Sequence, residues 1–276
     1  MLSGEIATML SGRFVEIQML PLSFKEYIST FQDKTDLSRK YSNYLQNSSF
    51  PYAVELEGNK ELLKEYLKGI YSTIVLKDVV ARNNIADVSM LESVIRFAFD
   101  NIGNLCSIKK ISDTMTSAGR KISTHTVENY LTALINSYVL YKAQRYDIKG
   151  KQYLKTGEKY YVVDIGLRYL LLGSKNVDFG FILENIIYLE LIRRGYDVFV
   201  GKIDTQEVDF IVLKNGFTEY YQIAQTVVDQ TVLERELSVF SKISDHNPKY
   251  LLTLDEQPVT DHNGIKQINA ITWLLE

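Results

Sequence analysis

Hydrophobic residues recur along the chain at two different spacings, and these spacings separate a helical first part from a mixed second part. Leu63, Leu67 and Ile70 follow the repeat of three to four residues that predicts an amphipathic helix over 60–71. A second apolar stripe predicts another helix near residues 90–99. The chain up to residue 100 is therefore predicted to be mainly helical.

The alternation of residues 14–19 is the exception, because it predicts a strand that is buried on one face. Pro21 and Ser23 then predict the start of a short helix. A lone strand needs a sheet to join, and no other strand is predicted within the next hundred residues. We therefore expect this segment to complete a sheet in a preceding part of a longer protein.

The middle of the chain has the order of a winged helix. Ser107 predicts the start of one helix, and Ser123 predicts the start of a second helix that ends near residue 140. Two apolar segments, 139–146 and 160–164, are predicted strands on either side of a polar, basic wing at 147–159. This order of elements is typical of modules that place their second helix on DNA.

The last hundred residues are predicted to form a mixed sheet with helices packed on it. Asn215-Gly216 between two alternating segments is a strong signal for a two-residue hairpin turn. The predicted order is α-β-β-β-α-β-β, and the fold class is α+β. The predicted elements are a helix at 181–194, strands at 196–200, 207–213 and 218–226, a helix at 232–243, and strands at 249–254 and 268–275.

Composition adds few constraints. Hydrophobic residues make up 46% and charged residues 24%, which is ordinary for a globular protein. No apolar run approaches the roughly 20 residues that a membrane span needs, and no signal peptide is recognisable. Cys106 is the single cysteine, so neither an internal disulfide nor a cysteine metal cluster is possible. These features favour a cytoplasmic protein without a membrane partner.

The net charge of −3 is unevenly distributed. Residues 107–160 contain 10 Lys and Arg against 4 Asp and Glu, while both flanking regions are acidic. A basic island between acidic flanks indicates a nucleic-acid partner. The alternative is a solvated face of a small helical domain, and composition alone does not distinguish the two.

The predicted winged helix supplies a candidate nucleic-acid site, because hydroxyl, amide and cationic side chains bind phosphates and base edges. Winged helices also serve as protein-docking modules, and Ser123 and Thr124 are good helix caps without any other duty, so docking stays open. Arg145, Lys159 and Tyr153 could add to the wing, whereas His125 is not favoured as a ligand. The candidate nucleic-acid-binding residues are Arg120, Lys121, Ser123, Thr124, Thr126, Asn129, Lys149, Lys151 and Lys155.

Short motifs spread over most of the chain resemble a large prokaryotic ATPase family of the AAA+ type, whose members carry a C-terminal domain of unknown function. They include segments 11–17, 20–27, 163–168, 183–185 and 207–210. The resemblance implies four regions: an ATPase-domain remnant at 1–30, a helical connector at 31–100, a winged helix at 101–170 and a nuclease-like α/β domain at 171–276.

The resemblance also implies that the ATP-hydrolysing part is missing from this chain. No Gly-x-x-x-x-Gly-Lys-Ser/Thr loop occurs in the sequence, so nothing is predicted to cradle the phosphates of ATP. ATP would be a cofactor only if an upstream P-loop domain were supplied. Arg13 corresponds to a position where such families can carry a sensing arginine, although a structural salt bridge is the open alternative.

The last region resembles the PD-(D/E)xK nuclease superfamily, in which carboxylates hold Mg²⁺ and a lysine supports the attacking water. The matching positions are Glu184, Asp209 and the triplet that begins at Gln222. Glu184 and Asp209 suit a metal ion, but Ala224 replaces the lysine of the triplet. Hydrolysis would then need Lys202 or Lys214 to move into place.

Three functions follow as hypotheses. The first is a DNA-binding, non-hydrolytic fragment of an ATPase that carries a degenerate nuclease-like domain. The second is a Mg²⁺-dependent nuclease that uses Glu184 and Asp209. The third is a docking module for an ATPase core or for another subunit, which could be a second copy of this chain.

Overall fold

The structure is a computed structural model that describes residues 17–173 and 178–276. The predicted α+β class is confirmed: a helical first part leads into a mixed sheet with helices packed around it. Arg13 and residues 14–16 of the predicted strand at 14–19 lie outside the described residues, and residues 17–19 form neither a strand nor a helix.

The first part contains six helices and a π-helical segment among the described residues. Ser23 caps the first helix as predicted. Its side chain accepts from the N–H of Glu26, and the carboxylate of Glu26 accepts in turn from the backbone N–H of Ser23. The elements are α1 (Phe24–Ser29), α2 (Leu37–Asn47), α3 (Pro51–Glu55), α4 (Lys60–Ile70), the π-helix Tyr71–Asp78, α5 (Val79–Asn83) and α6 (Val88–Asp100).

The predicted winged-helix order is present in the next segment, with α7 (Ile108–Ser117), α8 (Thr124–Asn136), β1 (Leu140–Asp147) and β2 (Gln152–Val162). Ser107 and Ser123 cap α7 and α8 as expected. An isolated antiparallel bridge also joins Cys106 to Glu158 on β2.

The wing is shorter than the sequence predicted. β2 already begins at Gln152, so residues 148–151 alone form the turn, and Lys155 and Lys159 belong to a strand. The polar residues of this segment concealed the strand, because one face of a strand at the sheet edge is exposed and tolerates polar side chains.

The remaining elements follow the predicted order up to the C-terminal segment. The Asn215-Gly216 turn is confirmed, with φ of 51° and 83° at its two residues. The remaining helices and strands are α9 (Ile165–Leu172), α10 (Phe179–Arg193), β3 (Asp197–Ile203), β4 (Gln206–Lys214), β5 (Phe217–Ile223), α11 (Gln230–Ser238), β6 (Lys249–Thr253), β7 (Thr260–His262), β8 (Ile265–Asn269) and α12 (Ala270–Leu275).

The predicted closing strand at 268–275 is wrong. β8 ends at Asn269, whose side chain accepts from the N–H of Thr272 and so starts the helix α12. A short apolar run fits a buried helix as well as a buried strand, and the cap decides in favour of the helix.

The eight strands of the described residues form one sheet in the order β2-β1-β3-β4-β5-β6-β8-β7. β1 pairs in parallel with β3 over Arg145–Asp147, which joins the hairpin of β1 and β2 to the strands that follow in the chain. The helix α10 packs against the sheet at β2, β3, β4 and β5, and its buried face lies in the main hydrophobic core. This packing brings the side chains of three strands and one helix to one place.

Candidate functional site

The residues predicted from the nuclease resemblance converge beneath α10. Glu184 on α10, Asp209 on β4 and Gln222 on β5 lie around one point, and β2 contributes a fourth residue, Lys159. Glu207, two positions before Asp209 on β4, completes the group. We call Lys159, Glu184, Glu207 and Asp209 the lysine–carboxylate cluster.

Lys159 lies at the centre of this cluster. Its Nζ is 2.8 Å from Oε1 of Glu184, 2.7 Å from Oε1 of Glu207 and 3.7 Å from Oδ1 of Asp209. The lysine side chain is only 3% exposed, whereas those of Asp209 and Glu207 are 14% and 29% exposed. The cluster therefore opens to solvent on its β4 side and is closed around the ammonium group.

The local sequence explains how Lys159 reaches this position. Side chains alternate along a strand, so Lys159 and Tyr161 point to the same face of β2. The Tyr161 hydroxyl donates to Oε1 of Glu184 at 2.6 Å, and its ring stacks on Tyr188 with centroids 4.1 Å apart. Asn185 fixes the register of helix and strand, because its amide pairs with both the N–H and the C=O of Val162.

A glycine loop closes the cluster on the side of Glu184. A Cβ at Gly103 would lie 2.8 Å from Cδ1 of Phe181 and 3.1 Å from Oε2 of Glu184. The φ of Gly103 is +71°, a conformation that other residues adopt only at a cost. The loop after α6 thus needs glycine to approach the carboxylate this closely.

Asp209 lies where β4 and β5 separate. The ladder between these strands begins at Phe210 and Tyr221. Beyond it, a side chain replaces the backbone as the hydrogen-bond acceptor, because Oδ2 of Asp209 accepts from the N–H of Ile223 at 2.8 Å. The N–H of Asp209 donates in turn to Oε1 of Gln222 at 3.3 Å. The aspartate therefore has a structural task as well as its place in the cluster.

Gln222 needs both ends of its amide. While its Oε1 accepts from the backbone of Asp209, its Nε2 donates to Oε2 of Glu236 at 2.8 Å. Glu236 is itself held by Arg235. A carboxylate at position 222 could not donate to Glu236 and would be repelled by it, which explains the amide at this position.

Burial strongly affects the pKa values of Asp209, Glu184 and Lys159 in the cluster. Burial raises the pKa of Asp209 to about 8, with the charge of Glu184 adding to the effect and Lys159 opposing it. Burial also raises the pKa of Glu184 against the influence of Lys159. Burial works against the ammonium of Lys159, but the three neighbouring carboxyl groups outweigh it and raise the pKa of the lysine.

The arrangement does not fit a resident Mg²⁺. The three carboxyl groups are directed at an ammonium group, and one oxygen of Glu184 already receives two hydrogen bonds. Within residues 17–173 and 178–276, no group of three or more His, Cys, Asp or Glu side chains is placed to hold a metal ion. Mg²⁺ requires near-octahedral oxygen ligands, whereas here the cation is a lysine.

Sequence reasoning missed Lys159 as a member of this site, because it assigned the residue to the wing. The alternation of Lys159 with Tyr161 was the signal that could have placed it on a buried face. Of the two lysines that were considered, Lys214 lies elsewhere and donates to the backbone oxygen of Arg194, whereas Lys202 is opposite the cluster residue Glu207 in the β3–β4 ladder.

The candidate nucleic-acid residues lie mostly on the surface of the winged helix. Thr126 is half-buried and shares a hydrogen bond with the capping Ser123. Lys149 forms an ion pair with Asp204 at 2.7 Å. The side chain of Lys155 is outside the described residues. Besides Lys149, the exposed members of the set are Lys121, Ser123, Thr124, Asn129 and Lys151.

Arg120 is used inside the protein. Its guanidinium donates to the backbone oxygen of Ser89 and to the hydroxyl groups of Ser89 and Ser93, so it joins α6 to the turn before α8. Lys121, the next residue, is exposed and forms no ion pair among those of the described residues. Of these two neighbouring cations, Lys121 is the one available to a ligand.

A groove of about 460 Å³ runs beside α8. Its walls are rich in amide and hydroxyl groups, and its single charged lining residue, Asp87, uses its carboxylate to cap α6. Uncharged donors and acceptors of this kind suit base edges better than phosphates. The lining residues include Asn83, Asn84, Asp87, Thr126, Asn129 and Thr132.

None of the helices in the described residues is long and apolar enough to cross a membrane.

Fold and site together define an α+β protein in which a winged helix leads into a mixed sheet with a lysine–carboxylate cluster. A family model described as a domain of unknown function (DUF8612) matches residues 38–178, just over half of the chain. The chain belongs to this family.

Two relatives extend over most of the chain. An uncharacterized protein of Haemophilus influenzae is 42% identical over 280 residues, which covers 100% of this chain and 68% of the relative. The uncharacterized protein MJ1544 of Methanocaldococcus jannaschii is 32% identical over 262 residues, which covers 88% of this chain and 56% of the relative. No solved structure matches the chain.

Proposed function

We propose that this chain is a non-hydrolytic DNA-binding module whose winged helix contacts the nucleic acid. The nuclease-like half acts in this proposal as a scaffold. The observation that carries the proposal is the exposed polar face at the start of α8, where Lys121, Ser123, Thr124 and Asn129 are all accessible. In a winged helix this is the end of the helix that approaches the bases.

The distribution of charge favours contacts around α8 rather than along it. α8 contains no Lys or Arg and one acidic residue, Glu128. Exposed cations flank it instead, at Lys110 near the start of α7, at Lys121 and at Lys151 in the wing turn. These cations suit phosphates on either side of a groove whose bases meet the hydroxyl and amide groups of α8.

The number of free cations sets the strength expected of the interaction. Lys109 is paired with Asp113, Lys142 with Glu158 and Lys149 with Asp204, and Lys159 is buried. Among the described side chains of this segment, about three exposed lysines are left for phosphate contacts. Three contacts correspond to a slope of about −3 for log K against log salt concentration. We therefore expect binding of modest affinity that is lost at high salt.

The predicted link to an ATPase core belongs to the same proposal. The chain has no P-loop motif, so ATP hydrolysis would be supplied by another domain or subunit beside which this module works in the cytoplasm. Docking to such a core is the competing role for the same winged helix, and it predicts no affinity for DNA.

Fluorescence anisotropy with a labelled duplex, from about 50 to 200 mM salt, tests the proposal. We expect salt-dependent binding that weakens several-fold in Lys121→Glu, with a salt slope smaller by about 1. Lys64→Glu, the same charge change at an exposed position on α4, is the matched control and should bind as the unaltered chain does.

Two results would overturn parts of the proposal. Flat titrations for all three proteins would exclude DNA binding and favour the docking role. Cleavage of the recovered DNA in the presence of Mg²⁺, abolished by Asp209→Asn, would show that the module is a nuclease and not a scaffold.

A further inference from the structure

We propose that Lys159 takes the place of a divalent metal ion, so that the lysine–carboxylate cluster is a metal-independent junction between the wing hairpin and the nuclease-like half. The PD-(D/E)xK resemblance led us to expect Mg²⁺ at Glu184 and Asp209. The structure instead directs the same two side chains at an ammonium group from β2.

The geometry leaves little room for a second cation. The Nζ of Lys159 lies within 2.8 Å of two carboxylate oxygens, on Glu184 and Glu207, which belong to different elements. A metal ion bound to both of these oxygens would be in direct contact with the ammonium group. Two cations at that separation repel each other strongly in a buried site.

Several oxygens of the predicted ligands have further neighbours. Oε1 of Glu184 receives the Tyr161 hydroxyl in addition to Lys159, and the loop at Gly103 lies close to its Oε2. Oδ2 of Asp209 accepts from the backbone of Ile223. A metal ion bound through Oε1 of Glu184 or Oδ2 of Asp209 would have to displace these hydrogen bonds.

The position of Lys159 gives the substitution a structural role. The lysine belongs to β2, Glu184 to α10, and Glu207 to β4, so one ammonium group joins a strand of the wing hairpin to a helix and a strand that follow it in the chain. Removing one partner of a buried ion pair leaves an uncompensated charge, so a metal ion should become an acceptable replacement once the lysine is gone.

Manganese titration of the full chain tests this inference. Mn²⁺ is a spectroscopic substitute for Mg²⁺, and its free form is measured by electron paramagnetic resonance. We expect up to about 1 mM Mn²⁺ to stay free beside the unaltered protein, and the melting temperature to shift by less than about 1 °C. In Lys159→Ala we expect about one bound Mn²⁺ per chain and a rise of several degrees.

Two further variants separate the alternatives. Lys159→Arg keeps a cation in the cluster and should bind no Mn²⁺. Lys142→Ala removes a lysine that pairs with Glu158 on the neighbouring strand, outside the cluster. This variant should also bind no Mn²⁺. Uptake of one Mn²⁺ by the unaltered protein would overturn the inference, even if Lys159→Ala does not fold. A folded Lys159→Ala that takes up no metal would overturn the role of the lysine as the excluding cation.

Discussion

The winged-helix surface and the lysine–carboxylate cluster use the same residue type in opposite ways. Lys151 in the wing turn is exposed, while Lys159 on the following strand is 3% exposed and in contact with carboxyl groups. Both residues contributed equally to the basic island that the sequence shows between residues 107 and 160. One of these charges is available to a ligand, and the other is consumed by the fold. Counting charges along a segment therefore overstates what its surface offers.

The largest effect should come from removing the buried charge. Lys159→Met leaves Glu184 and Glu207 without their shared cation, and loss of one partner from a buried ion pair costs about 3–5 kcal/mol. Lys151→Met at the exposed end of the same hairpin should change the free energy of unfolding by no more than about 0.5 kcal/mol. Urea unfolding of both variants measures the contrast, and equal losses would show that the cluster contributes no special stability.

A second contrast concerns the glycines of the two regions. Gly103→Ala should cost about 2–3 kcal/mol, because a left-handed conformation disfavours Ala by roughly 1–2 kcal/mol and the new Cβ also meets Phe181 and Glu184. Gly119 in the turn before α8 has a similar φ of +81° with nothing within 4 Å of its Cβ position, so Gly119→Ala should show the backbone cost alone. Thermal unfolding of the two variants then isolates the contact at the cluster, and identical losses would show that the loop relaxes away from Glu184.

Local signals explain why parts of this fold could be predicted. Ser107 and Ser123 start their helices through hydrogen bonds to residues three positions away, and Asn215-Gly216 forms its turn from its own backbone preferences. Such features depend on neighbours in the sequence, so a single sequence contains the information. The order of elements, and with it the meeting of Glu184, Asp209 and Gln222, follows from the same signals together with the family resemblance.

The role of Lys159 depends on contacts between residues that are far apart in the sequence, which the sequence alone does not reveal. Its partners Glu184 and Glu207 lie on other elements, and their approach depends on the register that Asn185 fixes between α10 and β2. The sequence also suggested a long basic wing, whereas pairing with β1 extends the strand back to Gln152. Nonlocal pairing thus decided both the length of the wing and the fate of its lysine.

The titration of Asp209 offers a graded effect, which over any single pH unit is smaller than the losses above. Its pKa is raised from 3.8 in the unfolded chain to about 8 by burial and by Glu184, against the influence of Lys159. The folded state therefore binds a proton that the unfolded state releases, and stability falls as pH rises from about 4 to about 8, by at most about 1.4 kcal/mol per pH unit. Asp209→Asn should flatten this dependence in urea unfolding between pH 5 and 8. An unchanged slope would assign it to other groups.

The smallest effects should separate two adjacent cations of the winged helix. Arg120 donates to Ser89 and Ser93, so Arg120→Ala should lower the free energy of unfolding by about 1 kcal/mol, because it removes hydrogen bonds that join α6 to the turn before α8. Lys121→Ala should leave stability unchanged and instead weaken duplex binding several-fold at low salt, because it removes one phosphate contact. If the proposed surface is correct, unfolding and anisotropy measured on the same two variants show that Arg120→Ala lowers stability and that Lys121→Ala weakens binding. If Arg120→Ala weakened binding while leaving stability intact, the guanidinium would have to leave its serine partners for the nucleic acid, and the division between structural and ligand-binding cations would fail at this position.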